Sequence, residues 1–437
     1  MSACLKSSNL HKTLYALPAF VLALPTIPVF VLLPTFYADT VGLGLATVGG
    51  VFLGLRILDV LSDPLLGWLS DHIPRRFAKR KLPMALGGLV GAPALIMVFS
   101  PGADTTAVYL IVWGALLYLA WTAVQIPYVT WAVELDSDYG ERAKLNGLRE
   151  GFGLLGILGA GAAGVLLADV PELDRFPLIA WATVGLGVLV FVIALKFVPE
   201  GRVAPAPQTQ ALSFPKGNTV FWRVLSAWFI NGFANGLPAV TLPLFLTYVI
   251  EAGEQDKAAL LFVYFLFAVL GIQGWVWLAR RLGKHTVWCV SMATACLAFA
   301  WVPFLGSGDV VGFGVICALT GLTLGSDLAL PPAIQADCAD WDRLRFRQER
   351  TATLFSYWSM ATKLALGLAV GTAFPALAYF GLSEDSAVAS DTAITALVVI
   401  YAVIPIVLKT IAVLMMWRFP ITQRRHAAIR RALERRS

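Results

Sequence analysis

The sequence predicts an all-α membrane protein with twelve transmembrane helices arranged in two six-helix halves. Apolar residues make up 58% of the 437-residue chain, charged residues only 14%, and the mean hydropathy is +0.75. An average soluble domain carries about 25% charged residues. The apolar residues form solid runs instead of the short alternating segments of a membrane β-barrel. A helix needs about 20 such residues to cross a bilayer, and each run supplies roughly that length.

Twelve apolar runs follow one another along the chain, separated by shorter polar segments. They lie near residues 14–38, 46–70, 82–100, 106–132, 147–168, 176–198, 221–249, 258–278, 286–304, 311–335, 352–380 and 392–416. Segment 200–219 is rich in Pro and small polar residues and predicts a flexible linker. The predicted organisation is an N-terminal six-helix bundle (1–199), a cytoplasmic linker (200–219), a C-terminal six-helix bundle (220–418) and a basic cytoplasmic tail (419–437).

The two halves repeat each other at corresponding places. The segment "GWLSDHIPRRFAKRK" after the second run resembles "GWVWLARRLGKH" after the eighth. Likewise, "IPYVTWAVELDSDYGER" at the end of the fourth run resembles "PPAIQADCADWDRLR" at the end of the tenth. Parallel repeats of this kind are typical of transporters that bind a small solute between the repeats, near the middle of the membrane. A duplicated receptor or scaffold is the alternative that the repeat leaves open.

The basic residues concentrate on one side of the predicted membrane. The formal net charge is +6, and Lys and Arg cluster in segments 75–81, 279–285, 343–350 and 424–437, whereas the opposite connectors are mainly acidic. Because basic connectors stay in the cytoplasm, both termini are predicted to be cytoplasmic, in a bacterial inner membrane. The charge therefore indicates a lipid bilayer as partner and no nucleic acid. For the tail, a basic amphipathic helix on anionic lipid is the alternative to a plain topology signal.

The cysteine and histidine patterns predict no cofactor. The five cysteines show no CxxC pair, and the four histidines, His11, His72, His285 and His426, fall in predicted cytoplasmic segments. We therefore expect neither a disulfide framework, nor a metal cluster, nor a transmembrane histidine relay. The first run shows no small-residue cleavage pattern, so we expect it to remain as a helix.

The stretch "RILDVLSDPLLGWLSDH" (56–72) places charged residues inside a predicted span. Arg56, Asp59 and Asp63 fall on one face of a helix. Charged groups at membrane depth are costly and usually face the bundle interior or a water-filled cavity. Two carboxylates one turn apart repel each other unless a sodium ion or a proton lies between them. Asp59 and Asp63 are therefore predicted to bind a coupling cation, and Arg56 to keep the nearer carboxylate ionised.

Two features of this stretch have simpler interpretations. Arg56 and Asp59 could form a buried ion pair that only fixes packing, although that leaves Asp63 without a role. Asp71, at the cytoplasmic end, is predicted to hold a gate through Arg75, Arg76 or the helix end. A solvated loop is the alternative for Asp71.

Other charged candidates lie in later spans. Lys363 lies too deep in the eleventh run to reach the membrane surface easily, so it needs an anionic partner. Asp327, the aspartates of the second run or an anionic solute are the candidates. Lys409, near the cytoplasmic end of the twelfth run, is expected to extend to the surface. Arg149 and Glu150 begin the fifth run, where they form either a gate salt bridge or interface anchors.

Two spans carry polar stripes suited to a solute. The stripe on the fourth run consists of Trp121, Thr122, Gln125 and Tyr128. Asn231 and Asn235 form a similar stripe on the seventh run, although amides also bond neighbouring helices. These residues are the predicted solute contacts, together with Lys363.

Taken together, the motifs resemble a known family over nearly the whole chain. The most specific part is the D-x-x-x-D-P-x-x-G core of the second run, followed by "QIPYVTWAVELDSD", "QADCADWD" and "ATKLALG". The chain resembles the glycoside-pentoside-hexuronide:cation symporters, the melibiose permease-like group of the major facilitator superfamily. The resemblance implies the major facilitator fold, with two pseudo-symmetric six-helix bundles.

The resemblance also implies roles for individual residues. Asp59 and Asp63 correspond to the cation-site carboxylates, Thr122 to a threonine of the same site, and Lys363 to a lysine that couples the two halves. At the positions of two aspartates that contact sugar in melibiose permease, this chain has Ala23 and Gln125. A pocket without those acceptors discriminates sugars less well.

A sister branch, the sodium-dependent lysophospholipid symporters, is similar in pairing aspartates of the second helix with a lysine of the eleventh. The uncharged first run would suit the amphipathic substrate of that branch. The sequence therefore predicts a monomeric symporter, coupled to sodium or protons, for a sugar, glycoside or related small solute. Transport of a lysophospholipid or another amphipathic or anionic solute, and export, are the alternatives. No enzyme is predicted, because no span carries His, HExxH or GxSxG.

Overall fold

The computed structural model describes residues 9–72, 80–135, 139–200, 217–347, 351–382 and 390–435, and most of these residues lie in helices. Within these ranges there is no β-strand. In the described part of the chain, twelve helices are long and apolar enough to cross a membrane. The predicted fold class is confirmed.

The spanning helices are numbered in chain order, and one shorter helix follows them. The first six are α1 (Asn9–Thr40), α2 (Leu45–His72), α3 (Lys81–Phe99), α4 (Ala107–Leu135), α5 (Tyr139–Leu166) and α6 (Glu172–Phe197). The next six are α7 (Thr219–Tyr248), α8 (Glu254–Leu282), α9 (Lys284–Phe299), α10 (Val310–Phe346), α11 (Thr351–Tyr379) and α12 (Asp391–Met416). The last helix is α13 (Gln423–Glu434).

The chain divides into two compact units. The N-terminal unit comprises residues 1–206 and the C-terminal unit residues 207–437. The boundary falls inside segment 200–219, where the linker is predicted. Helices α1 to α6 belong to the first unit and α7 to α13 to the second.

Helix α1 is not a regular α-helix along its whole length. Two π-helical segments, Pro28–Leu32 and Phe36–Thr40, lie in its second half. Proline lacks a backbone N–H and disrupts the regular hydrogen bonds of a helix, so Pro28 and Pro34 explain why the winding changes here. The hydroxyl of Tyr37 donates to the carbonyl of Val98 on α3 at 2.8 Å, which fixes the irregular part of α1.

Close contact between α8 and α10 depends on two glycines in the C-terminal unit. A Cβ atom added at Gly321 would collide with the carbonyl oxygen of Tyr264, and one added at Gly325 with that of Ala268. Small residues of this kind let helix backbones approach each other closely in membranes. The two helices therefore pack backbone to backbone at these positions.

We expect Gly325→Ala to lower the thermal unfolding temperature of the purified protein, because the added methyl group forces α8 and α10 apart. Overpacking costs roughly 1–3 kcal/mol. Gly274→Ala is the control, because no atom lies within 4 Å of a Cβ built there. The control should be neutral or slightly stabilising, since alanine favours helix by about 1 kcal/mol over glycine. Equal unfolding temperatures for the two variants would contradict the packing argument.

Candidate functional site

Three polar side chains from α2 and α4 meet inside the N-terminal unit. Asp59 and Asp63 lie one turn apart on α2, and Thr122 lies on α4. Thr122 Oγ1 is 3.1 Å from Asp59 Oδ1 and 3.2 Å from Asp63 Oδ1. Asp59 and Thr122 are buried, and Asp63 is partly exposed. The structure thus brings together the three residues that were predicted to bind a cation.

The contacts of Thr122 constrain what this cluster can hold. A threonine hydroxyl carries one hydrogen and can donate it to only one carboxylate at a time. Its contact with the second carboxylate therefore places two electron-rich oxygens together, unless a proton or a cation lies between them. The two carboxylates also repel each other when both are ionised. Oxygen ligands of this kind suit a hard cation.

Arg56 is a cationic neighbour of this cluster. Its Nη1 lies 3.3 Å from Asp59 Oδ2, whereas Thr122 contacts Oδ1 of the same carboxylate. Its guanidinium is 4.2 Å from the ring centroid of Phe30 and 5.0 Å from that of Tyr118, at cation–π distance. The ion pair and the two-carboxylate cluster coexist, so they are not exclusive interpretations. A coupling role for Arg56 stays a prediction.

The face of α4 that carries Thr122 also presents polar groups without partners. Trp121 and Gln125 are partly exposed. Gln125 Oε1 and Tyr118 Oη are buried atoms with no hydrogen-bond partner among the described residues. A buried acceptor without a donor costs free energy. Of the two side chains, only Gln125 is partly exposed, so it is the one that can turn towards a hydrogen-bond donor outside the helix.

Tyr128 differs from its predicted role as a solute contact. It is 1% exposed, and its hydroxyl donates to the carbonyl of Tyr15 on α1 at 2.8 Å. The Tyr15 hydroxyl donates to the carbonyl of Tyr128 in return, at 2.9 Å. These two reciprocal hydrogen bonds hold α1 against α4 in the core. Tyr128 is therefore a packing residue, although its helical spacing places it on the stripe of Trp121.

The described contacts give less support to the predicted gate residues. Arg149 Nη2 lies 2.6 Å from Glu150 Oε1, but the two are neighbours on α5, so their salt bridge joins no second helix. Arg75 and the side chain of Asp71 lie outside the described residues. The gating roles of these four residues remain predictions.

A buried polar network occupies the C-terminal unit. Asn231 Nδ2 and Asn235 Nδ2 on α7 donate to Asp327 Oδ2 on α10, at 3.1 and 2.7 Å. Lys409 Nζ on α12 donates to Oδ1 of both asparagines, at 2.8 and 2.6 Å. Trp288 Nε1 on α9 donates to Asp327 Oδ1 at 2.7 Å. Four helices of this unit thus meet around one buried carboxylate. We call this set the amide-bridged network.

The network corrects one prediction and limits another. Lys409 is 2% exposed, so the expectation that it extends to the membrane surface is wrong. Asn231 is completely buried, and its amide is bonded to both charged residues, so it offers a solute no surface. Asn235 is partly exposed. Lys363 on α11 is partly buried, and its coupling role stays a prediction.

Comparison with protein families gives a match over almost the whole chain. A family model described as "MFS/sugar transport protein" matches residues 14–423. A glycoside/cation symporter named YagG, from Escherichia coli K12, is 25% identical over 92% of this chain and 90% of its own length. The isoprimeverose transporter of Lactiplantibacillus pentosus is 26% identical over 85% of this chain and 80% of its own.

A further relative and a solved structure extend the comparison. The sodium-dependent lysophosphatidylcholine symporter 1 of Xenopus tropicalis is 21% identical over 92% of this chain and 83% of its own length. The crystal structure of a variant of the nucleoside transporter NupG superposes with a TM-score of 0.68 at 16% identity. It covers 93% of this chain and 100% of NupG. At this identity, the structural likeness establishes the fold alone.

Proposed function

Because the chain belongs to the MFS/sugar transport protein family, we propose that it couples the entry of a glycoside to the entry of a sodium ion. The chain is a membrane transporter and not an enzyme; the ion, the solute and the direction are the subject of the proposal. One observation carries it: the single hydroxyl of Thr122 touches two carboxylates, Asp59 and Asp63. That arrangement is stable when a cation is shared among the three side chains.

Sodium fits this cluster better than a proton does. A proton needs only a carboxylate, whereas a sodium ion gains from every additional oxygen ligand. Thr122 supplies such an oxygen between Asp59 and Asp63. A relative named as sodium-dependent supports the same ion. Sodium binding would remove the carboxylate repulsion and favour the conformation that binds solute, and that difference in affinity is the coupling.

A glycoside is the solute that the α4 face supports. The Gln125 side chain is partly exposed and its Oε1 has no hydrogen-bond partner among the described residues, so a glycoside hydroxyl can donate to it once the side chain turns towards the solute. Relatives named as a glycoside/cation symporter and an isoprimeverose transporter support this class. Lysophosphatidylcholine is the second candidate, since residues 13–38 of α1 carry no charged side chain, which would suit an amphipathic solute.

The remaining parts of the proposal concern location. The basic connectors favour cytoplasmic termini in a bacterial inner membrane, with inward transport driven by the sodium gradient. We propose that one chain suffices, because each of the two polar clusters is assembled within a single unit.

Uptake into proteoliposomes tests the proposed function. Isoprimeverose and lysophosphatidylcholine are supplied separately, with an inward sodium gradient, an inward proton gradient or neither. We expect isoprimeverose to accumulate only with the sodium gradient. Accumulation driven by the proton gradient would contradict the choice of ion, preference for lysophosphatidylcholine would contradict the choice of solute, and outward flux would contradict the direction.

Thr122 provides a finer test of the ion. Thr122→Val keeps the shape of the side chain but removes its oxygen, whereas Thr122→Ser keeps the oxygen. We expect the valine variant to require at least about tenfold more sodium for half-maximal uptake, equivalent to about 1.4 kcal/mol. The serine variant should stay close to the wild type. Equal sodium dependence in both variants would exclude the hydroxyl as a ligand.

A further inference from the structure

The hydrogen bonds of the amide-bridged network define the charges of its two ends. Asp327 accepts three bonds, from Trp288 Nε1, Asn231 Nδ2 and Asn235 Nδ2. A carboxylate can accept all three bonds and an ammonium can donate both of its own, so the contacts fit a charged pair. Lys409 donates to two amide oxygens, as an ammonium does. The network therefore consists of a negative and a positive group joined by two amides.

These charges determine which way the side-chain amide of Asn235 is turned, with its NH2 group towards Asp327 and its oxygen towards Lys409. An asparagine side chain can turn over and exchange its oxygen and its NH2 group. If Asn235 did so, its oxygen would face Asp327 and its NH2 group would face Lys409, so both contacts would become repulsive. The two charged residues thus allow a single orientation.

Asn235 is the member of the network with exposed surface. Asp327, Lys409, Trp288 and Asn231 are each at most 5% exposed, whereas Asn235 is partly exposed. An asparagine amide has two N–H donors and two acceptor lone pairs. Among the described residues Asn235 uses one of each, on Asp327 and Lys409. One donor and one acceptor are left, in directions that the network sets.

We propose that Asn235 binds a hydroxyl group of the transported solute, and that Asp327 and Lys409 are positioning residues that orient its amide. A hydroxyl group both donates and accepts, so it can use the remaining N–H and lone pair together. This inference rests on the proposed function and names the chemistry by which the C-terminal unit recognises a glycoside.

A second feature of α7 fits the same ligand. Trp228 lies two turns before Asn235 on the same face and is partly exposed. Its indole N–H donates to Thr362 Oγ1 at 2.7 Å, and its ring stacks on Trp358 with centroids 4.7 Å apart. The seven intervening steps span about 10 Å along the helix. This strip combines an aromatic side chain with an oriented amide, two kinds of group that can contact the apolar and the hydroxyl-bearing parts of a sugar.

The test measures binding of isoprimeverose to the purified full-length protein by calorimetry at saturating sodium. The double variant Asp327→Asn/Lys409→Met removes both charges, so it leaves no uncompensated buried ion even where the single variants fail to fold. We expect its dissociation constant for isoprimeverose to rise about tenfold, the effect of losing one well-placed hydrogen bond. Sodium affinity, measured separately, should not change.

A double-mutant cycle separates positioning from general destabilisation. Asn235→Ala should weaken isoprimeverose binding by the same factor, and adding the double change to it should weaken binding no further, because both act through one amide. The charge-matched control Lys284→Met/Asp337→Asn removes another Lys–Asp pair of this unit, whose atoms are 2.7 Å apart. It should leave isoprimeverose affinity unchanged.

Two results would overturn the inference. One is wild-type isoprimeverose affinity in Asp327→Asn/Lys409→Met, and the other is full additivity with Asn235→Ala. A wild-type protein that binds no isoprimeverose at any sodium concentration would instead contradict the choice of a glycoside in the proposed function, and this inference with it. If only Asp327→Asn/Lys409→Met behaves unexpectedly, the proposed function stands.

Discussion

Replacing Asp59 or Asp63 by Asn is expected to reduce solute uptake in a sodium gradient to the level seen without sodium. The amide keeps the size of the side chain but removes the charge that attracts the cation. With one carboxylate left beside Thr122, the cluster has no repulsion for sodium to relieve. Without a difference in sodium affinity between conformations, the gradient can no longer drive transport.

The two aspartate variants should differ in stability. Asp59→Asn leaves the guanidinium of Arg56 without the carboxylate 3.3 Å away, whereas Asp63→Asn keeps that ion pair. A buried charge that loses its partner is costly, so Asp63→Asn is the cleaner test. The exposed Asp391 at the start of α12 supplies a matched control, Asp391→Asn. Uptake in proteoliposomes gives the readout, and undiminished sodium stimulation in both Asp59→Asn and Asp63→Asn would refute the assignment.

Replacing Lys409 by Met is expected to lower the stability of the protein by about 3–5 kcal/mol, the cost of leaving a buried charge without its partner. Lys409 is 2% exposed, and its ammonium balances Asp327 through Asn231 and Asn235. Its removal leaves an ionised carboxylate in the interior of the C-terminal unit. Adding Asp327→Asn should restore most of the lost stability, because no buried charge then remains.

Thermal unfolding in detergent measures this effect. Lys284→Met is the control, because Lys284 is 38% exposed on its side chain and its partner Asp337 keeps a second contact with His426 at 3.4 Å. The control should unfold close to the wild-type temperature. A Lys409→Met protein as stable as the control would mean that Asp327 does not depend on the ammonium. If adding Asp327→Asn to Lys409→Met did not raise the unfolding temperature, it would also mean that Asp327 does not depend on the ammonium.

The cluster of Asp59, Asp63 and Thr122 could be predicted because its main signal is local. Asp59 and Asp63 are four residues apart, so helical periodicity alone places them on one face. Their charge inside an apolar run marks them as functional. Thr122 needed more than periodicity, because nothing in α4 indicates which of its residues faces α2. The resemblance to the symporter family supplied that pairing, and the structure places Thr122 within 3.2 Å of both carboxylates.

The amide-bridged network could not be predicted in the same way. Lys409 lies near one end of its apolar run, where the flexible chain of a lysine usually extends to the membrane surface. Its partners Asn231 and Asn235 precede it by more than 170 residues. Trp288 gave no polar signal, because an indole in an apolar helix is most often simple packing. Only the packing of α7, α9, α10 and α12 shows that these groups meet.

The twelve spans were predictable from hydropathy, but their internal irregularities were not. The two π-helical segments of α1 were not predicted, because hydropathy reports whether a run is apolar and not how its backbone winds. Tyr128 shows the limit of the stripe argument. Helical spacing places it with Trp121, but a contact with Tyr15 buries it against α1.

Trp288 determines which end of the amide-bridged network carries the negative charge. An indole nitrogen can donate a hydrogen bond but never accept one. The side chain at position 327 therefore has to accept this hydrogen bond, as Asp327 does. The amide dipoles of the two asparagines point from Asp327 towards the ammonium on α12. If Asp327 and Lys409 were exchanged, the two asparagines could adapt by turning their amides over. Trp288 could not adapt, because its N–H cannot accept a bond from a lysine. The negative end of this internal dipole is held at α10, and a lysine at position 327 would leave the indole N–H of Trp288 without its acceptor.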